Sequence, residues 1–281
     1  MGAVKIGDIL KNLKLGDDSV YSYDFINVTQ ADGIKLRESV SANLHEDYLL
    51  ELSHHHSIPV MDKEIDIFLN KIPKNGVVVD VGGCWGWHWR RNKYLRPDVV
   101  VFIVDFIRSN LIHAKNILGD QINNNIFLVH GDALSLNFRD NTFDGWWSVQ
   151  TLQHIPDFEK VVVEARRVLK SGGVFANYSL NDQMLLKLIY RLFGKTYHVK
   201  GQMPGVFYLA RASNEQFEIV GKIFPNSVRK RYSEVIFCPE LHMVVCGKKG
   251  SLIGKVDSLL SSGLPVFSWI ARQQSFHALK K

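Results

Sequence analysis

The chain has 281 residues, 46% of them hydrophobic and 22% charged, with a net charge of +6; that suits one large domain with embellishments, or one domain with a small appendage. The basic excess is scattered, densest at Arg229-Lys230-Arg231, Lys248-Lys249 and Lys280-Lys281, and lacks the long basic stripe with interleaved aromatics that a nucleic-acid binder shows. The three cysteines, Cys84, Cys238 and Cys246, form no CxxC pair, which argues against a zinc knuckle, a disulfide framework or any metal site of that kind and fits a reducing compartment.

Residues 1–60 are polar and mixed, a candidate cap. Within them IGDILKNLKL is a short amphipathic pattern, a turn falls at Ala31-Asp32-Gly33, and HEDYLLELSHHH reads as a helix from about His45. From Met61 the texture changes. MDKEIDIFLNKI sets Ile65, Phe68, Leu69 and Ile72 on one helical face, ended by Pro73 and Gly76. Apolar strands at 77–81, 99–106, 125–132, 143–150 and 174–180 then alternate with helices, among them 158–170, closed by Gly172-Gly173. Near-continuous apolar strands separated by helices predict a doubly wound, mostly parallel α/β sheet covered on both faces. After a helix at 214–224, RYSEVIF (231–237) and LHMVVCG (241–247) are joined by three residues. That link is too short for a crossover, so the sheet is expected to end in an antiparallel hairpin. The expected organisation is a cap at 1–60, a domain at 61–250 with an inserted lid at 181–212, and a helical tail at 251–281. The N-terminus lacks a long apolar segment, and no apolar run reaches the roughly 18 residues of a membrane span; the expected location is cytoplasmic.

VVVDVGGCWGWHWR, residues 77–90, is a strand followed by a Gly-rich turn and a helix start, a combination that receives anionic or strongly polar groups. Its spacing fits neither G-x-G-x-x-G nor the P-loop; what remains is Asp80, Gly82 and Gly86. A tight strand-to-helix turn without ligand would also account for it. The second strand ends in Asp105, 25 residues after Asp80, close to the ~20 expected of an acidic ribose ligand. A carboxylate there can accept both ribose hydroxyls, or it can cap the following helix. Asp132 ends the third strand, so three polar groups converge on the carboxyl ends of successive strands.

These segments, together with HGDALSLNFRDNTFDGWWSVQTLQHIPD and VEARRVLKSGGVF, resemble class I S-adenosylmethionine-dependent methyltransferases of the small-molecule type, strongly over about 75–180. The resemblance implies a Rossmann-like fold and S-adenosyl-L-methionine as cofactor. It implies that Asp80, Gly82, Gly83 and Gly86 line the methionine part, that Asp105 holds the ribose with Phe106 against the adenine, that Asp132 and Ala133 bind the adenine edge, and that Ser148 and Val149 approach the methionine end. The family's middle glycine is replaced by Cys84, and Trp85 stands where a small or hydroxyl residue is usual. Residues 1–55 and 181–212 match nothing in the family pattern.

The sulfonium carries the difficult chemistry, and the protein must align a nucleophile and exclude water. His154, after the fourth strand, is the candidate general base, with a packing or capping role as the alternative. His55, in the cluster His54-His55-His56, is a second candidate, with a solvated helix end as the alternative; adjacent histidines lack the i, i+4 spacing of a metal pair. The expected reaction is methyl transfer to a small molecule or glycan, at oxygen. A catalytically idle cofactor-binding module and a methyltransferase on a lipid or lipid-linked substrate stay open, the latter because the aromatic and basic 181–212 segment suits a peripheral membrane contact as well as a lid.

Overall fold

A computed structural model describes residues 7, 9, 11–23, 37–39, 54–203 and 207–281. The turn expected at 31–33 and the helix expected from 45 lie outside the described residues. The strands are β1 (Lys14–Leu15), β2 (Val20–Ser22), β3 (Val77–Val81), β4 (Val100–Asp105), β5 (Ile126–His130), β6 (Phe143–Val149), β7 (Leu169–Leu180), β8 (Lys200–Gln202), β9 (Tyr208–Ala210), β10 (Arg229–Ser233) and β11 (Gln273–Leu279). The helices are α1 (Ser57–Leu69), α2 (Asn92–Leu95), α3 (Arg108–Leu118), α4 (Phe158–Val168), α5 (Met184–Leu192), α6 (Asn214–Ile223) and α7 (Gly247–Leu260).

Nine strands form one sheet in the order β1-β2-β5-β4-β3-β6-β7-β11-β10, and β8 and β9 pair separately. From β2 to β7 neighbouring strands run parallel. The central strands β3 to β6 are mostly apolar because both faces of the sheet are covered there. On β4, Phe102 and Val104 join the cluster under α4 and α6, while Val101 and Ile103 join the cluster under α1 and α3. On β6 the fully buried Trp146 and Trp147 take opposite faces in the same way, as the two-residue period of a strand requires. The chain steps outward from β3 through β4 to β5 and returns to β6 on the other side of β3, so a crevice opens where the direction of winding reverses.

The expected antiparallel finish exists, but its partners differ. β10 pairs with β11, across a connection of 39 residues, and β11 pairs with β7; residues 241–247 form no strand and lead into α7. The tail at 251–281 is therefore half helix and half sheet. QQSFHAL carries four polar residues, yet Gln273, Gln274, Ser275 and His277 are buried with Phe276 and Ala278 between β7 and β10. At the other edge β1 and β2 extend the sheet, so part of the 1–60 segment belongs to the main domain. Asp18 fixes it there, accepting both Arg108 donors, Nε at 3.0 Å and Nη2 at 2.9 Å.

Phe276 is fully buried between the sheet and Phe217 of α6, ring centroids 5.9 Å apart. Phe276→Ala should lower the unfolding free energy by about 3–5 kcal/mol, read by urea denaturation. A loss below about 1 kcal/mol, the range of surface substitutions, would contradict the placement of this segment in the core.

Candidate cofactor site

A cavity of about 400 Å³ lies at the carboxyl ends of β3, β4, β5 and β6, within the size range of small-ligand pockets. It is lined by the loop after β3 (Gly82, Cys84), the end of β4 (Asp105, Phe106), the turn after β5 (Asp132, Ala133) and the segment after β6 (Val149, Thr151, His154). Four separate stretches of sequence thus converge on one space.

Asp105 organises this site. Its Oδ1 accepts from the Ile107 N–H at 2.8 Å and from Asn110 Nδ2 at 3.4 Å, and its Oδ2 accepts from the Cys84 N–H at 3.0 Å. The carboxylate therefore ties the Gly-rich loop to the start of α3. A carboxylate offers about four lone-pair directions. Three are used, so one remains, on Oδ2, for a ligand hydroxyl. The carboxylate thus has one free acceptor direction, fewer than the two that accepting both ribose hydroxyls would use. Burial raises its pKa to about 6. Asp105 does not cap α3: its bond goes to Ile107, which is itself the N-cap and has no side-chain cap bond.

Asp80 does not line the cavity. It is buried, its Oδ2 accepts from Trp89 Nε1 at 2.7 Å, and burial pushes its pKa up to about 7. Its work is to hold the loop from below. Gly83 belongs to the same underside, where a Cβ would lie 2.5 Å from Asp80 Oδ2. Gly82 and Gly86 are glycines of necessity. Both have φ near +70°, and a Cβ would come within 2.1 Å of Thr151 at Gly82 and 2.6 Å of Leu118 at Gly86. Only Gly82 faces the cavity. Ser148 is fully buried, donating to the Val81 carbonyl at 2.8 Å, and so supports the loop's base, while Val149 is at the wall. Thus Asp80, Gly83, Gly86 and Ser148 shape the site without lining it.

The two bulky loop residues are accounted for by packing. Cys84 has φ +50°, the left-handed region, which is why glycine is usual there. Its N–H serves Asp105, and burial raises its thiol pKa. Trp85 is buried and donates its indole N–H to Asn110 Oδ1 at 3.1 Å, binding the loop to α3.

In the turn after β5, Asp132 Oδ1 accepts from the Leu134 N–H at 2.9 Å, which leaves Oδ2 able to accept from a ligand amino group. Tyr23, which sequence reasoning missed, holds this turn. Its hydroxyl accepts from the Asp132 N–H at 3.1 Å and donates to the Ser135 carbonyl at 2.6 Å. Its ring occupies the space a Cβ on residue 131 would fill, so Gly131 must be glycine. Arg37 was also missed. Its guanidinium lies 5.8 Å from the Phe106 ring centre and 5.3 Å from that of Phe207, within cation–π range. It brings the N-terminal segment and the 181–212 insertion together over the cavity. A lone arginine in a polar stretch gives no sequence signal of that role.

His154 reaches the wall as expected. Its Nδ1 donates to the Tyr208 carbonyl at 2.9 Å, so the lone pair is on Nε2, which faces Gln153 Nε2 at 3.2 Å. Burial lowers its pKa to about 4. His55 is not part of this wall. It bridges to Cys246 beside the start of α7 and packs on Phe237, ring centres 5.8 Å apart. Its neighbour His56 bonds Val245, so the cluster joins α1 to α7.

The donors and acceptors present fit S-adenosylmethionine. Asp105 Oδ2 can take a ribose hydroxyl, Asp132 Oδ2 an amino group and the Phe106 side the adenine plane, while no described lining cation but Arg37 opposes a sulfonium. Comparison with known proteins agrees. Residues 79–177 match the family model of the methyltransferase domain. The chain is 36% identical over 97 residues to a demethylmenaquinone methyltransferase of Staphylococcus haemolyticus, covering 34% of this chain and 38% of that one. It is 46% identical over 61 residues to a sterol 24-C-methyltransferase of Eremothecium gossypii, covering 22% and 15%. The chain thus spans well under half the length of these relatives. A solved structure described as an S-adenosylmethionine-dependent methyltransferase, possible histamine N-methyltransferase, of Thermotoga maritima superposes with a TM-score of 0.59 at 16% identity, covering 88% of this chain and 99% of that one; at that identity it shows the fold. Residues 79–177 thus match a methyltransferase domain, and the fold is the one seen in S-adenosylmethionine-dependent methyltransferases.

Proposed function

We propose that the protein transfers a methyl group from S-adenosylmethionine to a small-molecule acceptor at the cavity above β3–β6. The observation that carries this is the Asp105 carboxylate, tied to the Gly-rich loop and keeping one acceptor direction toward the space bounded by Asp132 and Phe106. When bound, S-adenosylmethionine supplies an electrophilic methyl on a sulfonium. The residues of this chain bind, orient and exclude water; orientation alone accounts for a large part of such rate enhancements.

His154 supports a reading of the kind of acceptor. An imidazole with a conjugate acid near 4, its lone pair facing Gln153, takes a proton from a neutral hydroxyl poorly. The pocket therefore suits an acceptor that is already nucleophilic near neutral pH: an ionised oxygen, or a nitrogen or carbon carrying a lone pair. A neutral sugar hydroxyl would need a stronger base, which argues against the glycan reading among the described residues. His154 then acts as a wall and a hydrogen-bond acceptor.

Two measurements test this reading. Calorimetric titration with S-adenosylhomocysteine should show binding by the full chain, weaker at pH 5 than at pH 7.5 by up to about tenfold, because an acid of pKa about 6 is only about one-tenth ionised one pH unit lower. Asp105→Asn should weaken it about ten- to a hundredfold, the worth of a hydrogen bond to a charged acceptor. Absence of binding by the wild type would overturn the cofactor assignment, and unchanged affinity in Asp105→Asn the ribose role. In methyl-transfer assays with labelled S-adenosylmethionine and ionisable phenols or amines, His154→Gln should lower kcat by less than tenfold. A loss of about 10²–10⁴, the range of a general base, would restore the base role and contradict the pre-ionised acceptor.

A further inference from the structure

The insertion after β7 carries a surface that the cofactor site does not use. α5 buries Leu186 but turns Met184, Leu188 and Leu192 outward at i, i+4 and i+8, and Phe193 follows at its end. Leu192 is 83% and Phe193 76% exposed. The 3₁₀ turn at 265–269 packs beside α5 and adds Val266 at 66% and Trp269 at 60% exposure. Single exposed apolar residues are ordinary, but a contiguous group from two segments marks an interaction surface.

The surface is rigid. Asn181 Nδ2, at the entry to α5, donates to the carbonyls of Ser268 and Ala271, both at 2.8 Å, and Gln183 Nε2 donates to the Ile270 carbonyl at 2.6 Å. Asn181 and Gln183 are buried, so two segments some eighty residues apart present one pre-formed face.

Its charge selects the occupant. Between Asp182 and Glu215 the sequence holds no acidic residue and five cations; Arg211 is buried and Lys200 pairs with Glu215, which leaves Lys187, Arg191 and Lys195 for this face. Lys187 and Arg191 are exposed along the flank of the apolar row, Lys187 near Asp182 at 3.8 Å, and Lys195 is exposed just beyond the helix. An outward apolar row with Leu, Phe and Trp, edged by Lys and Arg, is the pattern of a helix lying in a membrane interface. A partner protein with an apolar groove would not need the acid-free stretch; an anionic bilayer would. No helix among the described residues is long and apolar enough to cross a membrane, so the contact is peripheral.

We propose that the outward face of α5 and the 265–269 turn docks on the surface of an anionic phospholipid bilayer. Gln273 pairs with Leu180, so α5 and the turn lie at the carboxyl edge of β7 and the start of antiparallel β11. That is the edge at which the cofactor cavity opens, and docking there brings the cavity beside the bilayer. The proposal does not depend on the methyl-transfer reading, since vesicle binding is measured without cofactor or acceptor.

Co-sedimentation of the full chain with phosphatidylserine-rich vesicles, and with pure phosphatidylcholine vesicles, tests it. Binding is expected to the first, weaker by about tenfold or more to the second, and reduced by added salt. Leu192→Ser with Phe193→Ser, at side chains that touch little of the fold, should abolish binding while leaving the thermal midpoint in place. Arg191→Gln with Lys195→Gln should weaken binding to phosphatidylserine-rich vesicles about tenfold and leave phosphatidylcholine binding as it was. The proposal falls if the wild type fails to sediment with phosphatidylserine-rich vesicles, or if the Leu192 and Phe193 variant sediments as the wild type does. It also falls if sedimentation velocity without lipid shows a dimer that this variant converts to monomer, because the face would then join two copies of the chain.

Discussion

One buried carboxylate fixes the architecture of the site. Asp105 closes β4, accepts from the Ile107 N–H that begins the approach to α3, and accepts from the Cys84 N–H in the loop after β3. Two strand ends, one loop and one helix start are set relative to one another by its two oxygens. Burying such a group is costly, which is why its pKa rises to about 6 in spite of its donors. The arrangement is poised: the same burial that strains the ionised form leaves one lone-pair direction that a ligand hydroxyl satisfies. Structure and proposed function meet at this atom.

The loop around it is held by exclusion as much as by attraction. Thr151 fills the space a side chain on Gly82 would need, Leu118 the space above Gly86, and Asp80 the space beside Gly83. Trp89 and Trp85 then pin the loop from two sides through Asp80 and Asn110. The loop thereby pre-pays the ordering that a flexible turn would undergo on binding. Cys84 and Trp85, which look anomalous beside the family pattern, are a left-handed loop residue and an anchor. Neither gives reason to regard the site as idle.

The central fold was legible because its physics is local. Apolar runs of five to eight residues, alternating with amphipathic helices, can do little but form a parallel sheet covered on both faces; β3 through β6 lie where those runs predict, while β7 starts at Leu169, within the expected helix, and takes in Gly172-Gly173. The edges were not legible. LHMVVCG has the apolar content of a strand and QQSFHAL the composition of a surface segment, yet β11 takes the place beside β7 and 241–247 does not. That choice is made by a partner 93 residues away in sequence, since Leu180 pairs with Gln273 and not with its neighbours; strand propensity reports fit to such surroundings, not an intrinsic preference. At the cavity, Asp105, Asp132 and Val149 could be named from the sequence, while Arg37 and Tyr23, which reach it only through tertiary contact, could not. The motif also merged two roles: Asp105, Asp132 and Val149 face the cavity, and Asp80, Gly83, Gly86 and Ser148 stand behind it.

A crystal structure of the full chain with S-adenosylhomocysteine tests the central claim most directly. The account predicts a ribose hydroxyl within hydrogen-bond distance of Asp105 Oδ2 while the Cys84 N–H bond to that oxygen persists, with the adenine amino group at Asp132. A ligand seated elsewhere, or one whose ribose ignores Asp105 while the loop keeps its present shape, would contradict it.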